Sequence, residues 1–398
     1  SLLTNATPGG TWNSSNVTIA SVDGVTGIVS GVANGTATIS YTLGNGCKSS
    51  ALFTVNVLPT PITGTNEICQ GQTTYLVSSP AGGTWSTSDP FVAVTTTGLV
   101  TGMGAGVATV TYSLGTGCMR TVNVTVDPLP AAITGTTNTC IGSTTTLAST
   151  TVGGTWTSSN SAVATVDPLT GIVTGITNGS ITITYTLSTG CKLTTGFTVN
   201  QLPAIVGGVA STCQGYSTTL TNSTIGGTWL SSNAGVAIVG TGSGVVVGIA
   251  PGTSEISYVM PSTGCVRTKV VTVNPIPSAI TGTLLACVGN TTTLSSPTLG
   301  GTWTSSNTSV ATIGNTTGIV TGVASGVTNI TYKMGTGCFV TAQVTVNLLP
   351  SALAGVSSVC IGANTVYTSS TPGGTWSSSD IAVASVGTGG VISGVSNG

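Results

Sequence analysis

Apolar residues alternate with Thr, Ser and Asn along almost the whole chain. Thr328-Asn329-Ile330-Thr331-Tyr332 and Val344-Thr345-Val346-Asn347 show the pattern clearly. A period of two is that of a strand with one face buried and one face wet. Glycine-rich breaks such as Gly300-Gly301 and Gly335-Thr336-Gly337 interrupt the alternation at short intervals. Such breaks read as turns between strands. No stretch shows helical periodicity, so the pattern predicts an all-β chain.

The pattern also repeats. The six tryptophans Trp12, Trp85, Trp156, Trp229, Trp303 and Trp376 follow one another at 73, 71, 73, 74 and 73 residues. Tyr41, Tyr112, Tyr185, Tyr258 and Tyr332 keep the same period, and the cysteines keep it in two phases. A repeat of this kind marks a tandem array of one structural unit. The boundaries predicted are 1–58, 59–129, 130–202, 203–276, 277–349 and 350–398. The first is incomplete at its N-terminal side and the last at its C-terminal side, as in a window cut from a longer array. Each complete unit holds about seven strands, the number in an immunoglobulin-like β-sandwich. The joints read Leu58-Pro59, Asp127-Pro128-Leu129-Pro130, Leu202-Pro203, Asn274-Pro275-Ile276-Pro277 and Leu349-Pro350. Proline fixes φ and favours extended backbone before it, so short stiff joints and a linear rod of roughly 150–220 Å are expected.

Composition narrows the class. Charged residues make up 3% of the chain, hydrophobic residues 39%, and the formal net charge is −1. Disordered chains pair low hydrophobicity with high net charge, so this is not one of them. Without a basic surplus there is no nucleic-acid footprint. No apolar run reaches the ~18–20 residues of a membrane-spanning helix, so no membrane span is expected.

Thr155-Trp156-Thr157-Ser158-Ser159-Asn160, Val163-Ala164-Thr165-Val166-Asp167, Gly171-Ile172-Val173-Thr174-Gly175 and Ile181-Thr182-Ile183-Thr184-Tyr185 together carry a family resemblance. They resemble the group 2 bacterial immunoglobulin-like domain of invasin- and intimin-like adhesins. The flanking Cys-x-Gly and Gly-Cys elements depart from the simplest form of that family. With the proline joints, they resemble giant repetitive surface proteins of Bacteroidota. That resemblance implies an extracellular or cell-surface location and export by the type IX route.

Candidate chemistry is sparse. There is no histidine, the commonest general base and metal ligand. The seven acidic residues, Asp23, Glu67, Asp89, Asp127, Asp167, Glu255 and Asp380, are scattered and form no cluster that recurs with the repeat. No catalytic site, metal site or cofactor is predicted, and the chain is not read as an enzyme. The tryptophan of each unit, Trp12, Trp85, Trp156, Trp229, Trp303 and Trp376, is read as core rather than as a sugar-stacking platform, because it recurs at one strand position. Four residues after each comes Asn16, Asp89, Asn160, Asn233, Asn307 or Asp380, read as the cap of the following turn.

The cysteines give the sharpest signal. One phase is Cys69, Cys140, Cys213, Cys287 and Cys360; the other is Cys47, Cys118, Cys191, Cys265 and Cys338. Their spacing does not suit zinc, and regular pairs in an exported β protein point to disulfides. Within one sandwich the two phases fall at opposite poles, ~25–30 Å apart, whereas a disulfide needs Cα atoms within ~7 Å. Topology therefore favours bridges between neighbouring units: Cys69–Cys191, Cys140–Cys265 and Cys213–Cys338. A shifted first strand would instead allow Cys69–Cys118, Cys140–Cys191, Cys213–Cys265 and Cys287–Cys338. The function these features predict is a stalk or filament segment of a large surface adhesin. Lateral packing into a homo-oligomeric fibre is expected, and any receptor would be gripped by regions beyond this window. A carbohydrate-binding array and a spacer within a large secreted enzyme stand as alternatives.

Overall fold

A computed structural model describes residues 1–398. Ser1–Gln201 and Leu202–Gly398 are two compact units, and both are built entirely from strands and turns. In the first unit, residues 130–201 show how one repeat folds. Its strands are β1 (Thr134–Gly135), β2 (Asn138–Cys140), β3 (Thr144–Ala148), β4 (Thr155–Ser158), β5 (Ala164–Val166), β6 (Ile172–Gly175), β7 (Gly179–Thr186) and β8 (Lys192–Asn200). One sheet runs β1-β3-β6-β5 and the other β2-β8-β7-β4. The pairing is antiparallel except between β2 and β8, which run parallel with Cys140 level with Asn200. This is an immunoglobulin-like sandwich.

The count differs from seven because the first strand is divided between the sheets. β1 pairs with β3, and β2 crosses over to pair with β8. The break falls at Gly135, whose φ of 112° lies in the left-handed region. A Cβ there would stand 2.5 Å from the Thr146 carbonyl oxygen, so only glycine lets the chain change sheets at this point. The crossing carries Cys140 to the pole where the chain leaves the sandwich.

The inward positions of the alternating strands supply the core. Leu147, Trp156, Ala164, Val173, Ile183, Tyr185, Phe197 and Val199 form one buried cluster between the sheets. Trp156 faces Tyr185 across β4 and β7, with ring centroids 4.5 Å apart. The Tyr185 hydroxyl donates to the Thr151 carbonyl at 2.7 Å and accepts from the Gly154 amide at 2.9 Å. It thereby ties the Thr151–Gly154 loop to the second sheet. Tyr41, Tyr112, Tyr258 and Tyr332 make the same pair of bonds in their own repeats. In the sequence these tyrosines mark only the period of the repeat. Tyr185→Phe keeps the ring packing and removes both bonds. It is expected to cost about 2 kcal/mol, read as a lowered denaturation midpoint; an unchanged midpoint would show that the clamp adds nothing.

The other repeats follow the same plan. Residues 203–276 and 277–349 each hold two four-stranded sheets, and 59–129 a four-stranded and a three-stranded sheet. Residues 1–58 hold a three-stranded and a two-stranded sheet, and residues 350–398 a single three-stranded sheet. Trp156, Trp229 and Trp303 are buried in their clusters, while Trp12 and Trp85 are half-buried against theirs. Trp376 corrects the core assignment: it is half-buried and belongs to no core cluster. Residues 350–398 contain no counterpart of β7 and β8, so no tyrosine ring covers it.

Each residue four places after a tryptophan caps the next turn. Asn160 Oδ1 accepts from the Ala162 amide at 3.0 Å, and Asn16, Asp89, Asn233, Asn307 and Asp380 do the same two residues on. A second turn is held by Asp167. The Thr170 amide, the Thr170 hydroxyl and the Leu169 amide all donate to its carboxylate and hold its pKa below the usual Asp value. A depressed folded-state pKa means that the ionised form stabilises the fold. That contribution is complete above the ordinary carboxylate range and is lost as pH falls through the depressed value. Asp167→Ala is therefore expected to be less stable than the parent at neutral pH. The gap should close on acidification; a gap that is constant with pH would remove the carboxylate from the account.

Candidate functional site

Two kinds of turn present the cysteines. In the first, Cys140-Ile141-Gly142-Ser143 closes with the Ser143 amide on the Cys140 carbonyl at 3.0 Å. Gly142 has φ 78°, as the third residue of a type II turn requires. Cys69-Gln70-Gly71-Gln72 and Cys213-Gln214-Gly215-Tyr216 close in the same way. This is the physical content of the Cys-x-Gly element. In the second, the β7–β8 hairpin closes with the Leu187 amide on the Cys191 carbonyl at 2.8 Å, and Gly190 sits in the left-handed region just before the cysteine.

The structure joins a turn of one repeat to a hairpin of the next. In the first unit, Cys69 is bonded to Cys191, with S–S 1.98 Å and Cα atoms 5.6 Å apart. In the second, Cys213 is bonded to Cys338, with S–S 1.94 Å and Cα atoms 5.7 Å apart. The placement follows from the fold. β2-type pairing sets Cys69 level with Asp127, where the chain leaves residues 59–129. The Cys191 sulfur lies 4.0 Å from the Asp127 carbonyl, and that of Cys338 lies 4.0 Å from the Asn274 carbonyl. Each bridge thus spans a joint beside the exit strand. Pro130 and Pro277 in those joints are buried.

Neighbouring repeats account for the burial of the hairpin sulfur. Cys191 and Cys338 are at most 1% exposed, whereas unbridged Cys118, at the same place in its own repeat, is half-buried. Four of the ten candidates depart from the expectation, since Cys47, Cys118, Cys287 and Cys360 are free thiols. The bridged cysteines lie 122 and 125 residues apart. The alternative pairs within one repeat do not form. Cys69–Cys118 and Cys140–Cys191 are excluded by the Cys69–Cys191 bridge, and Cys213–Cys265 and Cys287–Cys338 by the Cys213–Cys338 bridge. Cys140 and Cys265 are not free thiols. Denatured, unreduced protein should therefore titrate four thiols per chain, rising to ten after reduction. Any other starting number contradicts this assignment.

One joint carries an added contact that sequence reading missed. Tyr216, three residues after Cys213, meets Phe339, the residue after Cys338, with ring centroids 6.1 Å apart. The equivalent positions at the Cys69–Cys191 joint are Gln72 and Lys192. No group of three or more acidic, cysteine or histidine side chains is placed to hold a metal ion. No helix is long and apolar enough to cross a membrane.

The comparisons with known proteins agree with this architecture. Residues 3–53 and 120–198 match the family model of the bacterial Ig-like domain (group 2). No curated protein matches the chain. Among solved structures it is similar to the N-terminal eight Ig domains of Down syndrome cell adhesion molecule, isoform 1.30.30, at 11% identity and TM-score 0.26. That match covers 94% of this chain and 62% of the other, so the chain spans under two thirds of its length. It is also similar to domains 4–9 of the surface layer protein SbsC, at 15% identity and TM-score 0.18, covering 92% and 79%. The human desmocollin-1 ectodomain matches at 10% identity and TM-score 0.16, covering 85% and 92%. At such values the likeness carries no argument about this chain. Tandem Ig-like sandwiches with disulfides fit an extracellular structural or adhesion-type protein.

Proposed function

We propose that this chain is a stalk segment of a secreted or cell-surface bacterial adhesin, and that copies of it pack side by side into a fibre. The observation that carries the stalk reading is the pair of disulfides across neighbouring repeats. A flexible string of sandwiches has no use for a covalent tie over each joint, whereas a load-bearing array does. Buried joint prolines support the same reading.

Self-association is supported by the surface. Val152, Ile225 and Leu299 occupy the same loop position in three repeats and are 88%, 89% and 85% exposed. With 3% charged residues, little electrostatic repulsion keeps such surfaces apart. A carbohydrate array is disfavoured, because Trp156, Trp229 and Trp303 are buried and have no free ring face to stack on a sugar.

Two measurements test the reading. Small-angle scattering of the oxidised chain should give a maximum dimension of roughly 150–220 Å, from ~9-residue strands at ~3.3 Å per residue laid end to end. A particle half that size would sink the stalk. Sedimentation should show concentration-dependent association that weakens in a Val152→Asp/Ile225→Asp/Leu299→Asp variant. A strictly monomeric parent would remove the fibre.

A further inference from the structure

The two bridges have a consequence for tension that neither has alone. A pull on the ends of the chain is carried by the shortest covalent route between them. At Cys69 that route leaves the backbone and crosses to Cys191. It then follows the backbone to Cys213 and crosses again to Cys338. We infer that the stretched chain bears load through the Cys191–Cys213 segment and its equivalents, while the sandwich bodies behind the bridges bear none. This inference rests on the stalk reading above and says which part of the stalk works.

The shape of the strut suits the role. It is roughly 22 residues long, or ~70 Å when extended. It comprises β8 (Lys192–Asn200), the joint with Pro203, and the short strands Gly207–Gly208 and Ser211–Cys213. β8 is the long exit strand, held on one side by β7 over eight register positions from Gly179↔Val199 to Thr186↔Lys192, and on the other by β2. A strand that is already extended has almost no slack to yield, so tension along it does not need to open a sheet. The loops closed by the bridges span 122 and 125 residues. They contain Trp85, Trp156, Trp229 and Trp303 with their tyrosine partners, so four of the six tryptophan-centred bodies are shielded. In this arrangement the bodies hold and space the struts, and a body can unfold without lengthening the stalk.

The test is single-molecule stretching of the full chain, tethered at residues 1 and 398, with and without a phosphine reductant. At ~3.4 Å per residue the oxidised chain should reach only about 520 Å at full stretch and the reduced chain about 1,350 Å, a gain of about 2.6-fold. Trp156→Ala should leave the oxidised full-stretch length unchanged, and Cys69→Ser/Cys213→Ser should lengthen it. Full-stretch length reads which bridges are closed, whether or not the bodies behind them are folded. Equal lengths before and after reduction, or a double variant no longer than the parent, would overturn the load path. If scattering still gave an elongated particle, the stalk reading would survive that result. A compact particle would remove the stalk whatever the stretched length.

Discussion

Replacing Trp156 by alanine is expected to unfold the sandwich of residues 130–201 while leaving those of the second unit folded. The indole is 4% exposed, shares its buried cluster with Leu147 and Val173, and packs against the Tyr185 ring. Large-to-small changes at such a site cost about 3–5 kcal/mol, the sum of lost transfer energy and the cavity left behind. A domain of this size has little more stability than that to lose, since small domains bury a small share of their surface. The change also removes the aromatic partner of Tyr185, so the clamp on the Thr151 and Gly154 loop loosens with the core. Loss of one tryptophan-centred transition in thermal unfolding is the expected readout. A melting profile like that of the parent would show that Trp156 is packing ornament rather than the centre of its core.

Much of this was legible in the sequence because it is local or periodic. Alternation along Gly179–Thr186 marks a strand with Ile181, Ile183 and Tyr185 inward, and the structure buries those three. The Asn160 turn cap needs only neighbours two residues apart. The cross-repeat cysteine geometry came from topology: the poles of a sandwich are farther apart than a disulfide can reach. What escaped sequence reading depends on conformation or on distant pairs. The division of the first strand at Gly135 turns on the sign of one φ angle, and Ile133-Thr134-Gly135 reads equally well as a break or as a strand end. The tyrosine clamp joins Tyr185 to Thr151, 34 residues away, through a backbone carbonyl that has no sequence signature. Tyr216 and Phe339 are far apart in the chain and meet only in the folded joint, beside the Cys213–Cys338 bridge.

That aromatic contact sets up a comparison between the two joints. In the loop-entropy account, a bridge closing 122 or 125 residues stabilises by about 5 kcal/mol at most, and measured losses run from about 2 to 5 kcal/mol. Cys69→Ser and Cys213→Ser should both fall in that range. They should not fall equally. At the second joint Tyr216 and Phe339 still meet when the bridge is gone, and an aromatic pair adds about 0.5–1.5 kcal/mol beyond its buried area. At the first joint Gln72 and Lys192 offer no such contact, so Cys69→Ser should open its joint more readily. Cys191 and Cys338 are almost wholly buried when bridged, so the alkylation rate of the thiol each variant leaves behind reports that opening directly. Cys191 in Cys69→Ser should react faster than Cys338 in Cys213→Ser, and adding Phe339→Ala to Cys213→Ser should erase the difference. If Cys338 reacts as fast as Cys191 before that third change, the rings do not hold the joint and the bridge is its only tie.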